Sequence, residues 1–192
     1  QYWGKQETGA IRKMTGVALA LSVLIGAIVV TACTCIPEQL LRIFTTSPEI
    51  IAEGKAYLGL LKWTFLLFMI SNLLIAMLRS VEVVKISFVI SVVSLITNGC
   101  INYTLIFGHF GFPERGIQGA AVGTLTARML ELLIIVVYIW KIDTKVRLFD
   151  INLFRTIFLP ENRKIWGAFF KVAFPIMCSG MIWAISVPMQ TA

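Results

Sequence analysis

Of 192 residues, 58% are hydrophobic and only 14% charged, the mean hydropathy is +0.85 and the formal net charge is +7. Soluble domains carry about 25% charged and 45–50% apolar residues, so a water-soluble core of this length is excluded. The fold class is all-α: a polytopic transmembrane helical bundle of about five membrane-spanning helices, since long apolar runs cross a bilayer as helices whose backbone groups bond internally.

The N-terminal end carries Lys5, Arg12 and Lys13, and the run from Met14 to Pro37 is free of charge. Roughly 20 apolar residues suffice to span the hydrocarbon, which predicts a first span over about 14–36. The run is too long for a secretory signal, and no small-residue cleavage pattern follows it. A second span over about 50–78 contains Lys62, with no opposite charge at positions 58, 59, 65 or 66. Lys62 must therefore pair across helices or line water, and Glu131 is its expected partner.

A third span is predicted over about 84–109, charge-free from Ile86 to Gly108. It places Asn98 near the midplane and Asn102 one turn outward on the same face. Two amides there offer oxygens to a cation and hydrogen bonds to a polar substrate. Amides also join membrane helices to each other, and both readings are open.

Next, Gly108, Gly111 and Gly116 cluster around Pro113 and predict a tight turn. A fourth span follows over about 117–140. Gly119 and Gly123 stand in GxxxG register, which lets another backbone approach closely. Arg128 and Glu131 lie near the middle of this span at i, i+3 and can form an intramembrane ion pair, provided they face protein or water. The pair serves either structure or proton and ion coupling.

Residues 141–171 mix Lys and Arg with Phe, Leu, Ile and Trp. They read as amphipathic segments on a membrane surface, or as a solvated linker. Pro175 is expected to start or bend a last span over 172–192, and Pro188 to kink it. The bundle thus divides into 1–140, the linker 141–171, and 172–192.

Lys/Arg counts orient the chain. The end before the first span, the loop with Arg79 and Lys85, and the basic linker lie on one side, against Arg42 and Arg115 alone on the other. Basic short loops remain cytoplasmic, so the N-terminal end of this segment is expected inside, in a cell inner membrane. The charge is a topology signal, and no nucleic-acid partner is implied. Cys33, Cys35, Cys100 and Cys178 read as small buried hydrophobes, with no metal site and no disulfide framework. There are no paired aspartates, no HExxH, no GxSxG and no Ser/His arrangement, and His109 falls in a loop; the chain is not read as an enzyme.

The stretch NYTLIFGHFGFPERGIQGAAVGTLTARMLE resembles the multidrug and toxic compound extrusion (MATE) transporters, as do QYWGKQETGAIRK, AYLGLLKWTFLLFMISNLLIAMLRSVEVVKISFVIS and VAFPIMCSGMIWAISVPMQTA. The resemblance implies a twelve-helix, two-bundle transporter, of which this chain supplies helices three to seven. It would be a fragment, inactive alone, whose partners are the lipid bilayer, small amphipathic or cationic substrates and the missing remainder of the same transporter. The implied activity is export of drugs or metabolites in exchange for Na⁺ or H⁺ by alternating access, with no cofactor. A flippase for lipid-linked saccharides of the same superfamily, or a structural membrane subunit, is the alternative. Asn98 and Asn102 match polar positions bordering the family's cation site, and Asn102 stands where some relatives have aspartate. Trp183 stands eight residues after Pro175, where the NorM branch has glutamate, and so suits a DinF-like or uncharacterised bacterial branch. Trp183 either stacks on a flat cation or packs against lipid. The candidate cavity is therefore Asn98, Asn102, Lys62, Thr124 and Trp183.

Overall fold

The computed structural model describes residues 3–4, 7–141 and 163–191, with side chains described through residue 141 and again at 166–182 and 186. Six helices run in chain order among the described residues: α1 (Thr8–Cys35), α2 (Pro37–Arg42), α3 (Pro48–Ser80), α4 (Val84–Phe107), α5 (Gly116–Lys141) and α6 (Arg163–Thr191). Among the described residues, α1, α3, α4 and α5 are each long and apolar enough to cross a membrane, and α6 holds a shorter apolar stretch, Trp166–Ile182. The spans read at about 14–36, 50–78, 84–109 and 117–140 fall on these helices, and α1 reaches further back to include Arg12 and Lys13. Neither Pro175 nor Pro188 starts or ends a helix; α6 runs continuously through both. In a membrane, neighbouring groups can satisfy the carbonyls a proline frees, so proline is a weaker stop there than in water. Most of the basic connection, 142–162, lies outside the described residues.

Most hydroxyls inside the spans are satisfied locally, Thr64, whose buried Oγ1 has no hydrogen-bond partner, being an exception. Thr15, Ser87, Ser91, Thr104, Thr124 and others donate to the carbonyl four residues back, at 2.7–3.0 Å. Back-bonding lets an apolar helix carry Ser and Thr without exposing an unpaired O–H to lipid.

The core is built where α1, α3, α4 and α5 meet, around Val17, Leu74, Leu78, Val81, Ile90 and Ile135. The buried row of α5 repeats every fourth residue: Gly119, Gly123, Ala127, Glu131, Ile135 and Ile139. Small residues at one end let α4 approach closely. A Cβ on Gly119 would stand 2.8 Å from the Leu105 carbonyl, and one on Gly123 would strike the Asn102 side chain. The large residues at the other end fill the core.

Two helices end on a residue in the left-handed conformation. At the end of α4, Gly108 is left-handed (φ 68°) and the His109 N–H donates to Thr104 C=O at 3.0 Å. At the end of α3, Glu82 is left-handed (φ 65°), its N–H donates to Arg79 C=O at 3.2 Å, and the Val83 N–H donates to Leu78 C=O at 2.9 Å. This double bond set closes a helix most easily with glycine at the left-handed position.

On the loop side, Glu38 of α2 accepts from Arg42 at 2.8 Å and from Lys55 of α3 at 2.7 Å. Those two cations, Lys55 foremost, hold its exposed carboxyl below the usual carboxylate range. All four cysteines are free; Cys33 is buried, while Cys35 and Cys100 are exposed on helix faces and Cys178 is half-buried. The expectation of four buried cysteines is thus corrected: an apolar thiol is as comfortable against lipid as against protein.

These features generate two expected outcomes. Gly119→Val forces the α4 backbone away and should destabilise the full-length protein by about 1–3 kcal/mol, the usual cost of overpacking. Glu82→Gly should stabilise it by up to about 1 kcal/mol by relieving a left-handed non-glycine residue. Unfolding in mixed micelles reads both, and a neutral Gly119→Val would show that α4 and α5 do not depend on this close approach.

Candidate functional site

Three helices, α3, α4 and α5, line an open cavity of about 460 Å³. It exists because α5 packs against both α3 and α4, while α3 and α4, joined by the short turn Val81–Val83, scarcely touch each other above it. On α3, Phe68, Asn72, Ile75 and Arg79 recur at three- and four-residue spacing and present one stripe to it. From α4 come Ser91, Ser94, Leu95 and Asn98, and from α5 Thr124, Ala127, Arg128 and Glu131.

Glu131 is the most deeply held of these groups, with a side chain only 3% exposed. Its Oε2 accepts from Arg128 Nη1 at 2.6 Å and from Ser94 Oγ at 3.0 Å. The expected i, i+3 pair therefore forms, and the structure adds a hydroxyl from the neighbouring helix. The Arg128 guanidinium also lies over the Phe68 ring, 4.7 Å from its centroid. Flat stacking of a guanidinium on an aromatic face is favourable and leaves its edge free for hydrogen bonds.

One turn outward, Asn98 Nδ2 donates to Thr124 Oγ1 at 3.3 Å, and Asn102 Nδ2 donates to Asn98 Oδ1 at 3.0 Å. Asn98 and Thr124 line the cavity as expected. Asn102 does not: it sits between α4 and α5 against Gly123, and its buried Oδ1 has no hydrogen-bond partner. Asn98 thus lines the cavity and also joins α4 to α5 through Thr124, while Asn102 is held between the two helices.

Lys62 stands apart. Its Nζ donates to Thr34 Oγ1 of α1 at 3.0 Å and lies 5.8 Å from the Trp63 ring centroid. The expected contact with Glu131 is absent, and Lys62 does not line the cavity. Six residues separate Lys62 from Phe68 on α3, about 9 Å of helix, and Glu131 lies a further turn beyond Arg128. Lys62 therefore faces the end of α1 on another side of α3. The side chain of Trp183 lies outside the described residues. Reading sequence alone missed Asn72, Arg79, Ser91 and Ser94. Their signal was periodicity, since Ser87–Ser91–Ser94–Asn98 is an i, i+3/i+4 polar stripe in an apolar helix and Asn72 and Arg79 fall on one face of another, seven residues apart. His109, read as a loop residue, stacks on Tyr103 with centroids 4.4 Å apart.

Breaking a buried pair strands a charge, whereas removing both partners does not. Arg128→Met should therefore destabilise the full-length protein by about 3–5 kcal/mol, and Arg128→Met/Glu131→Leu by far less. Equal losses in the single and the double variant, measured by unfolding in mixed micelles, would show that Glu131 draws nothing from Arg128.

The MatE family model matches residues 1–104, more than half of the chain. Three relatives, each called "Probable multidrug resistance protein NorM", extend the likeness. One from Rhizobium meliloti is 29% identical over 172 residues, 90% of this chain and 35% of the relative. Another from Thermotoga maritima is 31% identical over 133 residues, 69% of this chain and 28% of the relative. A third from Bacillus cereus is 42% identical over 88 residues, 46% of this chain and 19% of the relative. All three carry the NorM name, whereas Trp183 suggested a DinF-like or an uncharacterised bacterial branch. The chain spans about a third of the length of the first of these relatives, and less of the others. With apolar spanning helices, a polar interior and this family match, the chain belongs to the MatE family, the multidrug and toxic compound extrusion transporters.

Proposed function

We propose that the full-length protein is a secondary active antiporter that exports amphipathic drugs or metabolites, cationic ones included, in exchange for Na⁺ or H⁺. The observation that carries this reading is a polar cavity at membrane depth in a chain of the MatE family. Polar groups inside a membrane are costly and mark solute and ion paths. Asn98 and Thr124 would hydrogen-bond a polar solute. The buried Oδ1 of Asn102, held between α4 and α5, has no hydrogen-bond partner and would accept a bond only if those helices part. Exchange would proceed by alternating access, with this segment contributing one part of the moving body.

The same reading places the N-terminal end of the segment in the cytoplasm, at a cell inner membrane. Arg12, Lys13, Arg79, Lys85, Lys141 and Lys171 all lie toward the helix ends near the turn Val81–Val83, while Arg42 and Arg115 lie at the other end. The domain division proposed with it keeps 1–140 as part of one bundle, 141–171 as the connection, and 172–192 as the first helix of a second.

Expression of the full-length gene in an efflux-deficient bacterium tests this. Ethidium should be excluded in an energy-dependent way, and Asn98→Leu should lower exclusion by about tenfold, as expected for losing hydrogen bonds of 1–1.5 kcal/mol. Repeating the assay with and without Na⁺ separates the two coupling ions. Ethidium uptake identical to that of the empty strain, with the protein present in the membrane, would overturn the reading.

A further inference from the structure

The charge balance of the cavity carries an inference that rests on the function proposed above and narrows its substrate class. The lining holds two guanidiniums, Arg79 and Arg128, and one carboxylate, Glu131. Glu131 is buried and already engaged by Arg128 and Ser94, so that pair contributes no free charge. Arg79 is different. It is exposed, it ends the Phe68–Asn72–Ile75–Arg79 stripe, and among the described residues its side chain has no ion-pair partner. The rest of the polar lining, Asn72, Ser91, Ser94, Asn98 and Thr124, is neutral. Among the described residues, the cavity therefore presents one unpaired positive charge at one end and hydrogen-bonding groups along its walls.

We infer that Arg79 is an anion-binding subsite, which receives a carboxylate or phosphate at one end of an elongated amphipathic ligand. Guanidinium is the side chain best suited to this task, because its planar fork meets such oxygens with two parallel hydrogen bonds. Eleven residues of α3 separate Phe68 from Arg79, about 16 Å at 1.5 Å per residue. The ligand's uncharged body lies along that length, with its far end beside Asn98, Thr124 and the Arg128–Phe68 stack. A bare cation gains nothing from this arrangement, whereas a zwitterion is held at its negative end. The same chemistry could be supplied by a lipid phosphate, since Arg79 stands in the last turn of α3.

The test uses full-length transporter in phosphatidylcholine nanodiscs and a matched pair of dyes. Rhodamine B carries a free carboxylate, and rhodamine B ethyl ester is the same dye without that negative charge. Fluorescence polarisation should show the acid bound about tenfold more tightly than the ester, as one charge-assisted contact predicts. Arg79→Gln should erase that preference and Arg79→Lys should retain part of it. Equal affinity for the two dyes in the wild type, or a preference that survives Arg79→Gln, overturns the subsite. Repeating the comparison in phosphatidylglycerol nanodiscs separates the two sources of anion. The difference between wild type and Arg79→Gln cancels the surface potential. If that difference persists, the ligand supplies the anion. If it vanishes, a lipid headgroup occupies Arg79 and the assignment to a transported ligand falls. Ester binding without acid preference removes only the subsite, whereas failure of both dyes to bind removes the cavity as a ligand site as well.

Discussion

A carboxylate cannot stand alone in hydrocarbon, and the arrangement of α3, α4 and α5 follows from where Glu131 must go. Its charge is met by Arg128 one turn away and by Ser94 from the facing helix. Arg128 in turn lies flat on Phe68 of α3. A single buried charge thus ties three helices together through one cation, one hydroxyl and one aromatic face. Burial of an ion pair is weak evidence of net stability, because desolvation offsets much of the attraction. What the pair supplies is register: only one rotation of each helix brings these three partners to the same carboxylate.

That register depends on what lies outward of it. Gly119 meets the Leu105 backbone and Gly123 meets Asn102, so each step back along α4 is matched by a step forward along α5 until Ser94 reaches Glu131. In a membrane there is little hydrophobic drive between helices, and close backbone contact across small residues substitutes for it. With bulkier side chains at 119 and 123, α4 would stand off and Ser94 would lose its reach. The small-residue row and the buried charge are two ends of one constraint.

Much of this was legible in the sequence because the membrane imposes simple rules. Long apolar runs marked the spans, and the glycines around Pro113 marked a turn where Gly108, Gly111 and Gly116 indeed take positive φ. Arg128 and Glu131 could be paired from spacing alone, since i, i+3 geometry is internal to one helix. The partner of Lys62 could not. It depends on which helix faces which side of α3, and that is settled by packing of residues far apart in sequence, such as Gly26 against Leu66. Arg79 was counted only as a topology signal, because hydropathy separates loop from span and is silent on which face a terminal arginine presents. Asn98 and Asn102 share a helical face, yet the close approach of Gly123 seals one between helices and leaves the other at the cavity wall. Burial of the cysteines was misjudged for a related reason, as lipid and protein interior are equally apolar to a thiol.

The cavity is the remaining consequence of the same geometry. The turn Val81–Val83 is short, and Glu82 accepts a left-handed conformation to close it, so α3 and α4 leave a common point. From there α4 is drawn toward α5 by the glycine row, while α3 is held to α1 and α5 by Leu74, Leu78 and Ile135. Two helices that start together and are pulled to different partners must open a gap between them, and α5 becomes its floor. Because α5 presents Thr124, Arg128 and Glu131 there, the gap is polar, and lipid cannot fill it at acceptable cost. A gap of this kind is held open by packing elsewhere and must be occupied by water, solute or protein.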